Sequence, residues 1–338
     1  MAKLIDIIQR ESCFQPGSSL CMGCMEAIAF QNIGKLTDNG KKTIFTLGTF
    51  CGEVSTLQFP NPVAWGRGEK TPQDWTKSFG IIHHVFESAP TVAEGARDMA
   101  DLLTETGAMT DSPQVVALSG DGGALAIGLR SLLHTVHRGV RIVIFVLVND
   151  IFANTGFQYS PITPLGADTS TTPVTEMTLG NVTPPLDYLG LMIQAGAGLV
   201  AQVSPAYPKY FFRVVEQALA CPETSVVFVP SPCITGWKYS DGETIRLAQL
   251  GCETGFFPCF MKEKGKKGEI KFLEPDIAKR PLIEEFMGPQ RRFHHLVHKD
   301  PKTGLFQVRP GKEVMVQKIR DWIQERFMTL SRLASDSL

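Results

Sequence analysis

Two short segments carry the residue types that bind a phosphate group and its metal: Gly120-Asp121-Gly122-Gly123, and further on Asn149-Asp150-Ile151-Phe152-Ala153-Asn154-Thr155-Gly156. Glycines in such turns let backbone amides approach phosphate oxygens closely. Asp121 offers a hard anionic oxygen for Mg2+, a cation that usually takes one or two protein carboxylates together with phosphate oxygens. Asn149 offers an amide oxygen to complete the shell. Alone, Gly-Asp-Gly also suits a tight turn with a helix-capping Asp. The Asn and the Asn-Thr-Gly turn at the end of the next apolar run favour binding of a diphosphate and its metal.

The flanking sequence supplies elements that would position these residues. Val115-Val116-Ala117-Leu118 is a short apolar run ending in the glycine turn, as expected of a buried parallel strand that opens onto a ligand. A second strand is expected from Arg141 to Val148, ending at Asn149, with a helix over Ala124 to Arg138 between them. One right-handed crossover of this kind brings both strand ends to the same edge.

Eight cysteines occur in 338 residues. No signal peptide is read at the start, Met1-Ala2-Lys3-Leu4-Ile5-Asp6, so a reducing, cytoplasmic setting and metal ligation are expected over disulfides. Cys21-Met22-Gly23-Cys24 is a C-x-x-C pair, while Cys51 and Cys233 each follow an apolar run, Thr43 to Leu47 and Ser225 to Val229, in Gly48-Thr49-Phe50-Cys51 and Ser231-Pro232-Cys233. These four meet if their strand ends share one edge. Four thiolates serve zinc or an iron-sulfur cluster, and one pair plus two distant singles is less zinc-ribbon-like than two pairs. Cys13, Cys221, Cys252 and Cys259 read as small buried hydrophobes.

Taken together, this ordered series resembles the thiamine-diphosphate-binding β subunit, or β-equivalent domain, of the 2-oxoacid:ferredoxin oxidoreductases, the pyruvate:ferredoxin oxidoreductase family. Phe86-Glu87-Ser88-Ala89, Asn154-Thr155-Gly156-Phe157-Gln158 and Thr163-Pro164-Leu165-Gly166-Ala167 belong to the resemblance, as do Arg280-Pro281-Leu282-Ile283 and Gln290-Arg291-Arg292-Phe293 in the tail. It implies that Cys21, Cys24, Cys51 and Cys233 hold a [4Fe-4S] cluster, and that Asp121, Asn149 and the Ile151 carbonyl hold Mg2+. Gly120, Gly122, Gly123, Thr155 and Gly156 would flank the cofactor, Phe86 would face its ring, and Asn154 would lie near the thiazolium and the oxoacid as the catalytic residue. The implied activity is coenzyme A-dependent oxidative decarboxylation of a 2-oxoacid, with electrons passing to the cluster and on to ferredoxin or another acceptor. An α-type subunit would bring the carboxylate that activates thiamine, since Glu87 and Glu94 read as helix-start and helix-surface acids. Two departures stand out: Ser18 and Met25 occupy places where the family often has His and Gly. The stretch between Cys51 and Phe86, with Pro60, Pro62, Trp65, Arg67 and Trp75, also looks like an insertion.

Composition excludes some alternatives. With 33 basic and 34 acidic side chains the chain has no charge surplus that would call for nucleic acid, and no apolar run reaches the ~18 residues of a membrane span. Apolar strand-like runs alternate with helical candidates near 24–36, 90–107, 124–138 and 207–221. That pattern predicts an α/β fold with a mostly parallel sheet flanked by helices, the thiamine-diphosphate-binding fold. Residues 1–260 are read as the cofactor domain and 261–338 as a C-terminal extension packing on the core or on a partner. Met261 to Gly268 reads as a solvated turn or linker, 159–185 as a long ordered loop, and Glu313 to Leu333 as a helix. His134 and His137 are expected on the surface, with His83 and His84 nearer substrate. Two other readings remain open: a non-redox thiamine decarboxylase or synthase, and a structural subunit with a four-cysteine zinc site.

Overall fold

The computed structural model describes residues 4–10, 12–14, 18–37, 42–56 and 80–336. Most of the insertion between Cys51 and Phe86, including Pro60, Pro62, Trp65, Arg67 and Trp75, lies outside the described residues.

Ten strands matter for the site: β1 Thr43–Leu47, β2 Gly80–His83, β3 Gln114–Gly120, β4 Val143–Val148, β5 Ile151–Phe152, β6 Gln158–Tyr159, β7 Leu199–Gln202, β8 Ser225–Pro230, β9 Cys259–Glu263 and β10 Glu269–Lys271. Eight of them form one sheet in the order β10-β9-β7-β8-β4-β3-β1-β2. From β7 to β2 every neighbour is parallel, whereas β9 and β10 join antiparallel at the other edge. A parallel sheet is covered on both faces, so its strands read as unbroken apolar runs. All six residues of β4 are buried accordingly. Successive side chains alternate between two cores: Ile144, Val146 and Val148 pack on one side with Phe228, and Phe145 and Leu147 on the other with Phe45 and Phe211. Burying one such Phe fully is worth about 1.5–3 kcal/mol.

The helices sit close to where periodicity placed them. Met25–Thr37, Ala89–Glu105 and Pro208–Ala220 flank the sheet. The expected single helix from Ala124 to Arg138 is divided into a π-turn over Gly123–Ile127 and an α-helix over Leu129–Arg138. A Cβ on Gly128, at the junction, would meet the Gly123 carbonyl at 2.5 Å.

The tail departs from the sequence reading at one point. Met261 and Lys262 are buried members of β9, and only the turn after them is exposed. Strand β9 therefore crosses residue 260 and pairs with β7. The lone charge is satisfied within the fold, since Lys262 Nζ donates to the Lys266 and Asp336 carbonyls at 2.8 and 2.7 Å. Helix Glu313–Ser335 lays Val316, Ile319 and Ile323 into the main core.

Candidate active site

Because β1 to β4 and β8 run parallel, their C-terminal ends emerge on one edge, where a ligand binds in sheets of this kind. Backbone bonds knit these ends together: Gly48 N–H to the Leu118 carbonyl (3.0 Å), His84 N–H to Leu47 (2.8 Å) and Ser231 N–H to Val148 (2.7 Å). The helix Ala89–Glu105 is tied to β1 by Thr46 Oγ1, which donates to the Ala89 carbonyl at 2.8 Å. Phe86 is thereby held just before that helix.

A cleft at this edge encloses about 330 Å³, part of it open to solvent. It is lined by Thr49 to Cys51, Phe86, Gly120 to Gly123, Asn149 and Ile151 to Thr155. The fold thus brings together residues from four strand ends that the sequence keeps far apart. Its glycine floor has no spare room. A Cβ on Gly122 would stand 2.5 Å from the Phe152 ring, and one on Gly123 would stand 2.9 Å from Ser119 Oγ and 3.0 Å from the Phe86 carbonyl.

Negative charge is concentrated here. Asp121, Asp150 and Glu26 are 1%, 1% and 2% exposed. Burial, with a further contribution from the Asp150 charge, pushes the Asp121 carboxyl well above the usual range, although the Gly122 and Asp150 N–H groups oppose the shift. Burial raises Asp150 to about 6 against the pull of Arg292, and raises Glu26 to about 7. Among the described residues only Asp150 of the three has a cationic partner, Arg292 at 3.2 Å. A divalent cation beside Asp121 would relieve this surplus, and with close-packed glycine turns the donor set fits a Mg2+-bridged diphosphate. Among the described residues no three His, Cys, Asp or Glu side chains converge to hold a single ion by themselves.

Asn149 ends β4 with its amide locked. Its Nδ2 donates to Glu26 Oε1 at 3.2 Å and its Oδ1 accepts the Ile151 N–H at 3.2 Å. Its carbonyl accepts Trp237 Nε1–H at 2.8 Å. Asp150 follows with φ +66°, which turns the chain into the hairpin of β5 and β6. Asn154, Thr155 and Gly156 form the exposed tip of that hairpin. Asn154 and Thr155 line the cleft mouth. Gly156 does not line it, and its φ of +117° serves the turn.

The four expected cysteine ligands also gather at this edge. Cys51 lines the cleft, and the Cys51 thiol feels the charges of Cys233, Cys24 and Cys21 after the larger effect of burial, which raises it. Thr235 Oγ1 bridges Cys21 Sγ (4.0 Å) and Cys233 Sγ (3.6 Å), and the Gly236 N–H donates to Cys233 Sγ at 3.3 Å. Gly23, at φ +75°, makes the turn of the C-x-x-C, where a Cβ would lie 2.7 Å from the Asp241 carbonyl. Cys252 and Cys259 lie apart from this group, fully buried and 3.4 Å from each other. Met25, in place of the family's glycine, is buried against Ala206 and Ala248.

His83 Nδ1 lies 3.1 Å from Glu53 Oε1, and Thr49 Oγ1 donates to the His84 carbonyl at 3.0 Å. His134 and His137 are exposed, and Glu94 is buried against Arg138. Sequence reading gave no role to Glu26, nor to Asp150, Phe152 and Arg292 within the motifs that contain them. Glu26 directly follows the C-x-x-C helix start and looks like an ordinary first-turn acid, so spacing carried no signal for it.

Comparison with known proteins bears on the family and the fold. Residues 67–229 match the family described as "Thiamine pyrophosphate enzyme, C-terminal TPP binding domain". The chain is 34% identical over 293 residues to pyruvate synthase subunit PorB of Methanocaldococcus jannaschii, covering 86% of this chain and 92% of that one. It is 27% identical to ketoisovalerate oxidoreductase subunit VorB of Pyrococcus abyssi, covering 96% and 94%. The 2-oxoglutarate:ferredoxin oxidoreductase from Magnetococcus marinus shares the fold, with a TM-score of 0.50 at 20% identity over 73% of this chain and 80% of that one. No described helix is long and apolar enough to cross a membrane. With the parallel sheet and these relatives, the chain belongs to the thiamine-diphosphate-binding β subunits of the 2-oxoacid:ferredoxin oxidoreductase family, whose members act as parts of a complex.

Proposed function

We propose that this subunit holds thiamine diphosphate, Mg2+ and a [4Fe-4S] cluster, and that with an α-type partner it converts a 2-oxoacid and coenzyme A to an acyl-CoA and CO2. The observation that carries this reading is that Cys51, at the sheet edge where Thr235 Oγ1 bridges Cys21 and Cys233, also lines the cleft that holds the glycine turn. An electron acceptor at those thiols would share a wall with the reacting cofactor.

Asp121, the Asn149 amide oxygen and the Ile151 carbonyl would hold Mg2+, and the turn from Gly120 to Gly123 would receive the diphosphate. Phe86 forms an apolar wall for the ring. Asn154, at the open mouth, is placed to address the oxoacid. When bound, thiamine diphosphate supplies the carbon nucleophile needed for decarboxylation, and a cluster supplies one-electron acceptance on the way to ferredoxin. The spacing of the cysteines supports a cluster over zinc: a zinc ribbon usually carries two C-x-x-C pairs, and here one pair, Cys21 and Cys24, is joined by the distant singles Cys51 and Cys233.

Among the described residues that line the cleft, Asp121 is the one carboxylate, and the mouth is open with Val85 61% exposed beside it. A partner subunit covering this edge would supply the activating acid. The test is reduction of a viologen dye with coenzyme A and a panel of pyruvate, branched-chain, 2-oxoglutarate and aromatic oxoacids, together with iron and acid-labile sulfide analysis. Activity on at least one oxoacid by the complex, with silence of this chain alone, is expected. Full-rate turnover by the isolated chain, or zinc in place of iron, would overturn the reading.

A further inference from the structure

Glu26 is a buried carboxylate that the reading above does not use. It is the second residue of the helix Met25–Thr37, immediately after the C-x-x-C, and is 2% exposed. Its Oε1 accepts the Nδ2–H of Asn149 at 3.2 Å, and the Gly52 N–H, next to Cys51, lies close enough to favour its charge. Its Oε2 has no hydrogen-bond partner among the described residues. One side chain therefore touches the turn that carries Cys51 and the amide that ends β4. A buried acid with a free oxygen costs stability unless that placement is used.

We propose that Glu26 is a positioning residue that ties the Cys51 turn to Asn149 and holds the Asn149 amide with its nitrogen turned back and its oxygen available to Mg2+. The inference rests on the reading of Asn149 as a metal ligand. Glu26 Oε1 accepts here, so it meets the nitrogen end of the facing amide and leaves the oxygen end turned away. The Ile151 N–H reinforces the same orientation from the other side, through Asn149 Oδ1 at 3.2 Å. Groups that orient a metal ligand in this way typically govern affinity by about 10–100-fold. A Gln at this place would accept from or donate to Asn149 and would leave both amide orientations open.

The test uses the assembled complex carrying Glu26→Ala, Glu26→Gln or Asp121→Ala. Mg2+ affinity is measured by calorimetry in the presence of thiamine diphosphate, and the reduced cluster by its EPR spectrum. Glu26→Ala is expected to weaken Mg2+ by about 10–100-fold, with cofactor binding restored at high Mg2+ and the cluster spectrum altered. Glu26→Gln should show a smaller loss of the same kind, and it carries the test if the alanine variant does not assemble. Unchanged Mg2+ affinity in Glu26→Gln and Glu26→Ala, while Asp121→Ala abolishes binding, would overturn the role of Glu26 alone. Unchanged affinity in Asp121→Ala would overturn the underlying metal site instead. Weakened Mg2+ with an unaltered cluster spectrum would overturn the tie to the Cys51 turn.

Discussion

Arg292 reaches from the C-terminal part of the chain to Asp150, 3.2 Å away, in an ion pair whose side chains are both 2% exposed. Its guanidinium also lies 3.9 Å over the Trp237 ring, while Trp237 Nε1 donates to the Asn149 carbonyl. Two consecutive residues of the loop that follows β4 are thus gripped from behind, one through its side chain and one through its backbone. Asp150 sits at φ +66°, a conformation that costs most L residues about 1–3 kcal/mol and persists where neighbours impose it.

Replacing Arg292 by Met should therefore destabilise the protein by about 3–5 kcal/mol, because Asp150 would be left buried without its cation. Adding Asp150→Asn should recover part of the loss, since the amide is neutral and tolerates positive φ. Thermal unfolding of the complex checks both, and a single variant with the parent's midpoint would show that the pair contributes nothing.

Asp121→Ala is expected to abolish thiamine diphosphate binding and activity together while circular dichroism remains that of the parent. Asp121 is the buried carboxylate nearest the glycine turn that lacks a cation, and its loss would remove the metal's charged anchor. Cofactor binding at the parent's affinity would remove Asp121 from the site.

Cys51→Ala should lower iron content, whereas Cys259→Ala should not. Cys51 lies at the cleft beside three other thiols, and Cys259 is fully buried against Cys252. Equal iron in both variants would exclude Cys51 from the ligand set.

Asn154→Ala should reduce turnover by more than it weakens cofactor binding. Its side chain stands on an exposed hairpin tip at the cleft mouth, away from the glycine floor. A defect confined to cofactor affinity would contradict that placement.

The loop over 159–185 should loosen in acid. His295 Nε2 lies 3.3 Å from the Leu179 carbonyl, to which the neutral Nε2–H tautomer donates, and burial lowers the His295 pKa below its usual 6.5. The released state then takes up a proton first, so the anchor holds above pH 6.5 and is lost as pH falls through the lowered value. Protection of the amides at Leu179 and its neighbours, taken relative to the intrinsic exchange rate at each pH, should fall as pH drops below 6.5, and His295→Gln should flatten that dependence. The same pH profile in both proteins would refute the anchor.

Sequence alone determined the strand ends and the residue types carried on them. The runs Val115 to Leu118 and Val143 to Val148 are legible because a strand buried on both faces must be apolar throughout. The glycine turn, Asn149 and the C-x-x-C stand out in the sequence because such residue types at short range are what phosphate, Mg2+ and thiolate chemistry would require, and the fold brings them to one sheet edge. Strand β9 was hidden by Lys262, whose charge is met by two carbonyls supplied only by folding. Tertiary structure alone decided what supports the site: Asn149 meets Glu26 across 123 residues, and Asp150 meets Arg292 across 142. Such pairs leave no spacing to read, since an acid at a helix start and an arginine in a tail have ordinary solvent-facing uses. Only the closing of the parallel sheet, with the tail packed behind it, removes water from these charges and makes their partners obligatory.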